Sequence, residues 1–194
     1  MHRNPISFSA TLILNILCCC AMPARGADQK QSKEFTIVGL FSPDREKDLR
    51  DVIADVPEFQ LVSVDYENAR ATFSYDVASL FAAERKLKNA PTAAEIEQRI
   101  HALLARASTN TFGLKLTAAV PKEKLTRIEL NIGILDCKGC QYAAYLAVMK
   151  APGVERATVA RDGTLVAMVE SGKADEASIT AALKKANIEC RANP

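Results

Sequence analysis

Sliding the chain along itself by 95 residues lays one half on the other, and this internal repeat constrains the fold more than any other feature. Pro57 falls on Pro152, and the stripe Leu49, Val52, Ile53, Val56 falls on Ala144, Ala147, Val148, Ala151. Both stripes follow the i, i+3, i+4, i+7 spacing of a helix with one buried face. Upstream, Phe35 and Ile37 fall on Leu130 and Ile132, an alternation that reads as a strand. Downstream, Phe59, Val62 and Val64 fall on Val154, Ala157 and Val159. "ARATFSYD" and "TLVAMVES" read as a further strand in each copy, after turns at "YENA" and "ARDG". Asp162-Gly163 is a hairpin signal, because the tight turn between paired strands needs backbone at positive φ. Each half ends with a second helical segment, "AAEIEQRIHALLARA" or "EASITAALKKA", and a short extended piece.

The order strand, helix, strand, strand, helix, strand, twice over, predicts an α+β chain of two ferredoxin-like βαββαβ sandwiches in tandem, each with two helices on one face of a four-stranded antiparallel sheet. The expected division is residues 1–26 as a leader, 33–118 as the first domain and 126–194 as the second. Ile96 and Ile179 are only 83 apart, so the first half carries extra residues, placed in "VASLFAAERKLKNA". "AAVPKEKL", with Pro121 and clustered charge, suits a linker.

The leader is read from Arg3 followed by "ISFSATLILNILCCCAM", with no acid before Asp28. This is the pattern of a secretory signal peptide, with cleavage expected before Ala27 and export to a periplasmic or extracellular space. The run is too short and too interrupted by Ser7, Ser9, Thr11 and Asn15 to favour a membrane anchor. Leu17-Cys18-Cys19-Cys20 matches a lipid-attachment site poorly, since Cys19 stands where a small residue is expected. Losing the leader removes Arg3 and Arg25, leaving 23 basic against 23 acidic residues from the 25 and 23 of the whole chain. A neutral chain without a basic run has no charge with which to hold phosphate backbones, which argues against a nucleic-acid partner.

Three cysteines remain after the leader, and two of them, Cys137 and Cys140, sit in "GILDCKGCQ", where a strand gives way to a helix. The spacing fits a metal clamp, a redox couple or a plain disulfide. Orphan N–H groups at a helix amino terminus stabilise a thiolate, Lys138 is expected to act in the same direction, and Gly139 lets the backbone curl round the pair. Two thiolates suit Cu(I), Ag(I) or Hg(II), soft ions that prefer sulfur. A structural zinc site usually takes four ligands. With three cysteines and the single histidine His101 in the other half, one domain cannot assemble a four-ligand Cys/His set.

"LDCKGC", the stripe from Ala144 and "APGV" together resemble the heavy-metal-associated domain of copper chaperones and of the amino-terminal modules of metal-exporting P-type ATPases. The resemblance runs to the carboxyl terminus and implies one soft cation held by Cys137 and Cys140. It implies as partners a metal-transporting membrane protein or another metal-binding protein. The first half resembles the family too, through "VSVDYENARATFSYD", but there Ser42 falls on Cys137 and Arg45 on Cys140, so both ligands are lost. Copper-handling relatives carry Met-Thr or Met-His before the first cysteine, whereas this chain has Leu135-Asp136. An Asp there resembles the zinc, cadmium and lead exporters, in which the carboxylate is a third ligand, while its plain reading is a helix amino-cap. Cu(I) is slightly favoured, with Zn(II), Cd(II) and Hg(II) open. By the family register Ile188 stands where relatives place Lys or Tyr beside the site, and Cys190 follows on the same face of the last strand, as a third ligand or as packing.

The rival reading is thiol-disulfide exchange, since an exported setting favours oxidation and a bond across two intervening residues is comparatively reducible. A thioredoxin-type fold would require a Pro facing the cysteines, and the second half has none between Pro152 and Pro194. A thiol-silent interaction module is the third reading. No Gly-rich phosphate loop and no Ser/His/Asp set is present, so an enzyme is not expected. "SPDRE" reads as a helix start capped by Ser42 with Pro43 in the first turn, and the first half as a docking or dimerising domain.

Overall fold

A computed structural model describes residues 30–83 and 89–191. The expected leader, with its cleavage, anchor and lipid-attachment readings, lies outside the described residues. The first half runs β1 (Gln31–Val38), α1 (Arg45–Ala54), β2 (Phe59–Asp65), β3 (Arg70–Tyr75), α2 (Val77–Leu80), α3 (Ala93–Ala107) and β4 (Gly113–Leu114). A 3₁₀ turn over Lys122–Lys124 follows Pro121, and the second half runs β5 (Leu125–Asn131), α4 (Lys138–Met149), β6 (Val154–Val159), β7 (Thr164–Glu170) and α5 (Glu176–Lys185).

The first sheet is antiparallel in the order β2-β3-β1-β4. Side chains alternate across a strand, so Ala71, Phe73 and Tyr75 of β3 all enter the core while Arg70, Thr72 and Ser74 face out. Against that face pack Leu49 and Ile53 of α1 and Ile96, Ile100, Leu103 and Leu104 of α3. A capping box formed by Thr92 and Glu95 starts α3, pairing amide donors that the first helical turn leaves free. The extra residues of this half include α2, whose Leu80 is buried and whose Leu80 carbonyl accepts from Arg99 Nε at 2.8 Å.

The second sheet has the order β5-β7-β6. β7 buries Leu165, Ala167 and Val169, and α4 contributes Ala144, Tyr145 and Val148 from above. Gly163 turns β6 into β7 at φ +90°, and its N–H donates to the Ala160 carbonyl. A Cβ there would overlap the backbone of Gly133, so only glycine fits both the dihedral and the space.

The repeat predicts a fourth strand in each sheet. In the first half it is the two-residue β4; in the second, among the described residues, it shrinks to one bridge, in which Arg191 N–H donates to Asn131 O at 2.7 Å. Gly133 bends the chain at φ +75° two residues past Asn131, so the residues before Arg191 have no β5 partner beyond that bridge. Among the described residues, Cys190 therefore precedes a bridge and lies outside any strand.

The halves share a partly apolar contact. Phe41, from the β1–α1 loop, is 1% exposed and belongs to the core of the second half, tilted against Tyr145 and Tyr142 at 5.3 and 5.8 Å between ring centres. Around it, Val159 N–H donates to Phe41 O, Gly39 N–H to Tyr145 Oη, and Lys115 pairs with Glu155 at 2.6 Å.

Candidate metal and thiol site

Strand β5 ends at Asn131, and the Gly133 bend delivers the loop 134–137 to the amino terminus of α4. Leu135 N–H donates to Arg161 O, which ties the loop to the β6–β7 turn. Cys137 and Cys140 face solvent, with Cα atoms 5.3 Å apart and sulfurs joined as a disulfide. Cys137 itself is the amino-cap of α4, and its Sγ accepts the Cys140 N–H at 3.0 Å. The cap reading of Asp136 is thus corrected: that carboxylate is exposed one residue before the cap. Chain direction explains this, because Cys137 has the extended backbone of a cap (φ −122°, ψ 143°) and the spacing that carries its side chain to the third residue of the helix.

Cys190 forms no disulfide, is half-buried against the second core, and points its thiol at Thr180 Oγ1, 3.9 Å away. Ile188 packs on the same core. Among the described residues, no three His, Cys, Asp or Glu side chains come together as a metal-holding group. The structure therefore brings Cys137 to Cys140 but does not gather Asp136 and Cys190 around them. Gln141, the residue after Cys140, is 1% exposed, with its Nε2 unpaired.

Lys138 does not act as expected. Its ammonium holds Asp48 at 3.1 Å and Asp44 at 3.2 Å, both on the first half, and Arg161 approaches Asp44 at 3.7 Å. These carboxylates raise the Lys138 pKa and offset the positive field it would lend the cysteines. Asp44 is held below the usual carboxylate range, first by the Ser42 hydroxyl at 2.5 Å and then, against some desolvation, by Lys138. Tyr142, one turn beyond Lys138, donates to Asn110 O at 3.0 Å. None of these partners could be read from the loop itself. Their one trace in sequence is Phe41, apolar where the repeat places Asp136.

The equivalent loop of the first half is closed. Arg45, at the repeat position of Cys140, lies over the Phe112 and Phe41 rings at 4.0 and 5.3 Å. Its Nε donates to Gly39 O and its Nη1 to Asp48. A guanidinium thus fills the space and supplies a fixed positive charge. Helix α1 starts at Arg45, with Asp44 as cap, later than "SPDRE" with Ser42 as cap implies. Ser42 is buried and spends its hydroxyl on Asp44, while its carbonyl accepts Arg45 N–H.

No family model matches the chain, and no curated protein does. Among solved structures it is similar to the N-terminal soluble domains of Bacillus subtilis CopA, at 14% identity and TM-score 0.32, over 86% of this chain and 95% of that one. A second structure of the water-soluble region of that P-type ATPase gives 14% identity and TM-score 0.32 over 86% and 93%. The N-terminal extension of Cupriavidus metallidurans CzcP gives 14% and 0.30 over 80% and 96%. Likenesses this weak leave function to be argued from the chain's own residues.

Proposed function

We propose that the chain is an exported carrier or sequestering protein for one soft metal cation, held by Cys137 and Cys140 when the pair is reduced, and not an enzyme. The observation that carries this reading is the placement of both cysteines on the solvent side of the α4 amino terminus, Cα atoms 5.3 Å apart. From there two sulfurs converge on one point without moving the core, and helix N–H groups stabilise them as thiolates. Sulfur pairs favour Cu(I), Ag(I) and Hg(II). Asp136, exposed beside Cys137, is the carboxylate that a harder ion such as Zn(II) or Cd(II) would recruit. A metal-transporting membrane protein or a second metal-binding protein would take the ion by thiol-for-thiol exchange. The Arg45 guanidinium in the corresponding loop fits a first half that binds no cation and serves as a docking partner.

Thiol-disulfide exchange is the second reading, and the Cys137–Cys140 bond favours it. Ag(I) titration and Cu(I) competition against a chelator separate the two. Reduced full-length protein should take up one soft ion per chain, and the Cys137→Ser, Cys140→Ser variant none. Equal uptake by both would place binding elsewhere, the first half included. Reduced protein that ignores metals and turns over disulfides would establish the redox reading.

A further inference from the structure

The bonded pair is not symmetric. Cys137 Sγ accepts the Cys140 N–H at 3.0 Å and sits at the cap of α4, whereas Cys140 lies inside the first turn. Three residues apart, the two sulfurs share one side of the helix start, and both residues are exposed, so the asymmetry is in the hydrogen bond and not in access. The face bearing Lys138, Tyr142 and Tyr145 is covered by the first half, through Asp44 and Asp48, Asn110, and Gly39 with Phe41. Arg161 extends that cover across the β6–β7 turn by its approach to Asp44. One turn beyond Cys140, Ala143 is exposed and small.

We propose that the pair reacts in one direction: an incoming thiolate attacks Cys140, and Cys137 is the sulfur that leaves. The attacking thiolate forms a new S–S bond to Cys140 Sγ, and the Cys137–Cys140 bond breaks with its electron pair on Cys137. No proton or external oxidant enters this step. The leaving thiolate is received by the Cys140 N–H and the helix amino terminus, and a more stable leaving thiolate departs faster. This polarity needs only the bonded pair and holds whether or not a metal is carried, so metal titrations neither support nor remove it.

The test uses the full-length oxidised protein with glutathione as the attacking thiol. The reaction is quenched early with iodoacetamide, and the peptides are mapped by mass spectrometry. Expected is glutathione mainly on Cys140 and the alkyl group mainly on Cys137. The reverse assignment, or an even split, overturns the proposal.

Discussion

Tyr145→Phe removes one oxygen from the buried contact between the halves and leaves the ring, 5.3 Å from Phe41, in place. Gly39 is buried, and its N–H donates to that oxygen at 2.9 Å. Without an acceptor, a buried amide costs about 1–3 kcal/mol, and this is the expected destabilisation at pH 7. The variant also changes the alkaline limb. Burial pushes the Tyr145 phenol from 10.0 up to about 12, against the Gly39 N–H, which lowers it. With a folded pKa above the unfolded value, the stabilisation is intact below pH 10 and drains away as pH rises toward 12. Each unit between those limits removes about 1.4 kcal/mol from the natural chain, and nothing from the variant, which has no phenol to titrate at this position. The stability gap should therefore narrow by about 1.4 kcal/mol between pH 7 and pH 11. Urea denaturation at pH 7, 9 and 11, followed by far-ultraviolet circular dichroism, measures it. A gap that stays constant with pH, or is absent at pH 7, would refute the assignment of Tyr145 as a buried acceptor.

The Asp44 carboxyl, followed by carbon NMR, should titrate below the usual range. Its pKa is lowered in the fold, so its contribution is present above about pH 4 and lost as pH falls through the folded value. Ser42→Ala should raise that midpoint, since the hydroxyl is its first cause; an unchanged midpoint would show that the hydroxyl does not hold the carboxylate. Gly163→Ala should lower stability by roughly 1–3 kcal/mol, read as a fall in thermal midpoint, because its φ of +90° and the Gly133 backbone both reject a Cβ. A variant as stable as the natural chain would mean that the β6–β7 turn relaxes freely.

The repeated helix stripes, the alternation in β3 and β7, the Asp162-Gly163 turn and the position of the cysteines at a helix start are all legible along the chain. Each is a local pattern, in which the period of burial records the element and one face of it. Less legible is the last strand of the second half, of which the described residues show one bridge, between Asn131 and Arg191. The cap of α4 also falls one residue later than Asp136, since a sulfur and a carboxylate stand side by side as candidate acceptors and only the turn geometry chooses between them.

The chain alone determined that two similar α+β halves form and that one of them presents a cysteine pair. Helix and strand periodicities act over a few residues, and covalent spacing fixes what lies within a turn. Tertiary packing decided what surrounds the pair. Lys138 meets Asp48 across a separation of 90 residues, and Gly39 meets Tyr145 across 106. Such contacts depend on how two surfaces seat together, a matter of shape and charge summed over both halves that no local period encodes. Packing thereby made the loop and first turn of α1 in one half a neighbour of the cysteine-bearing helix of the other.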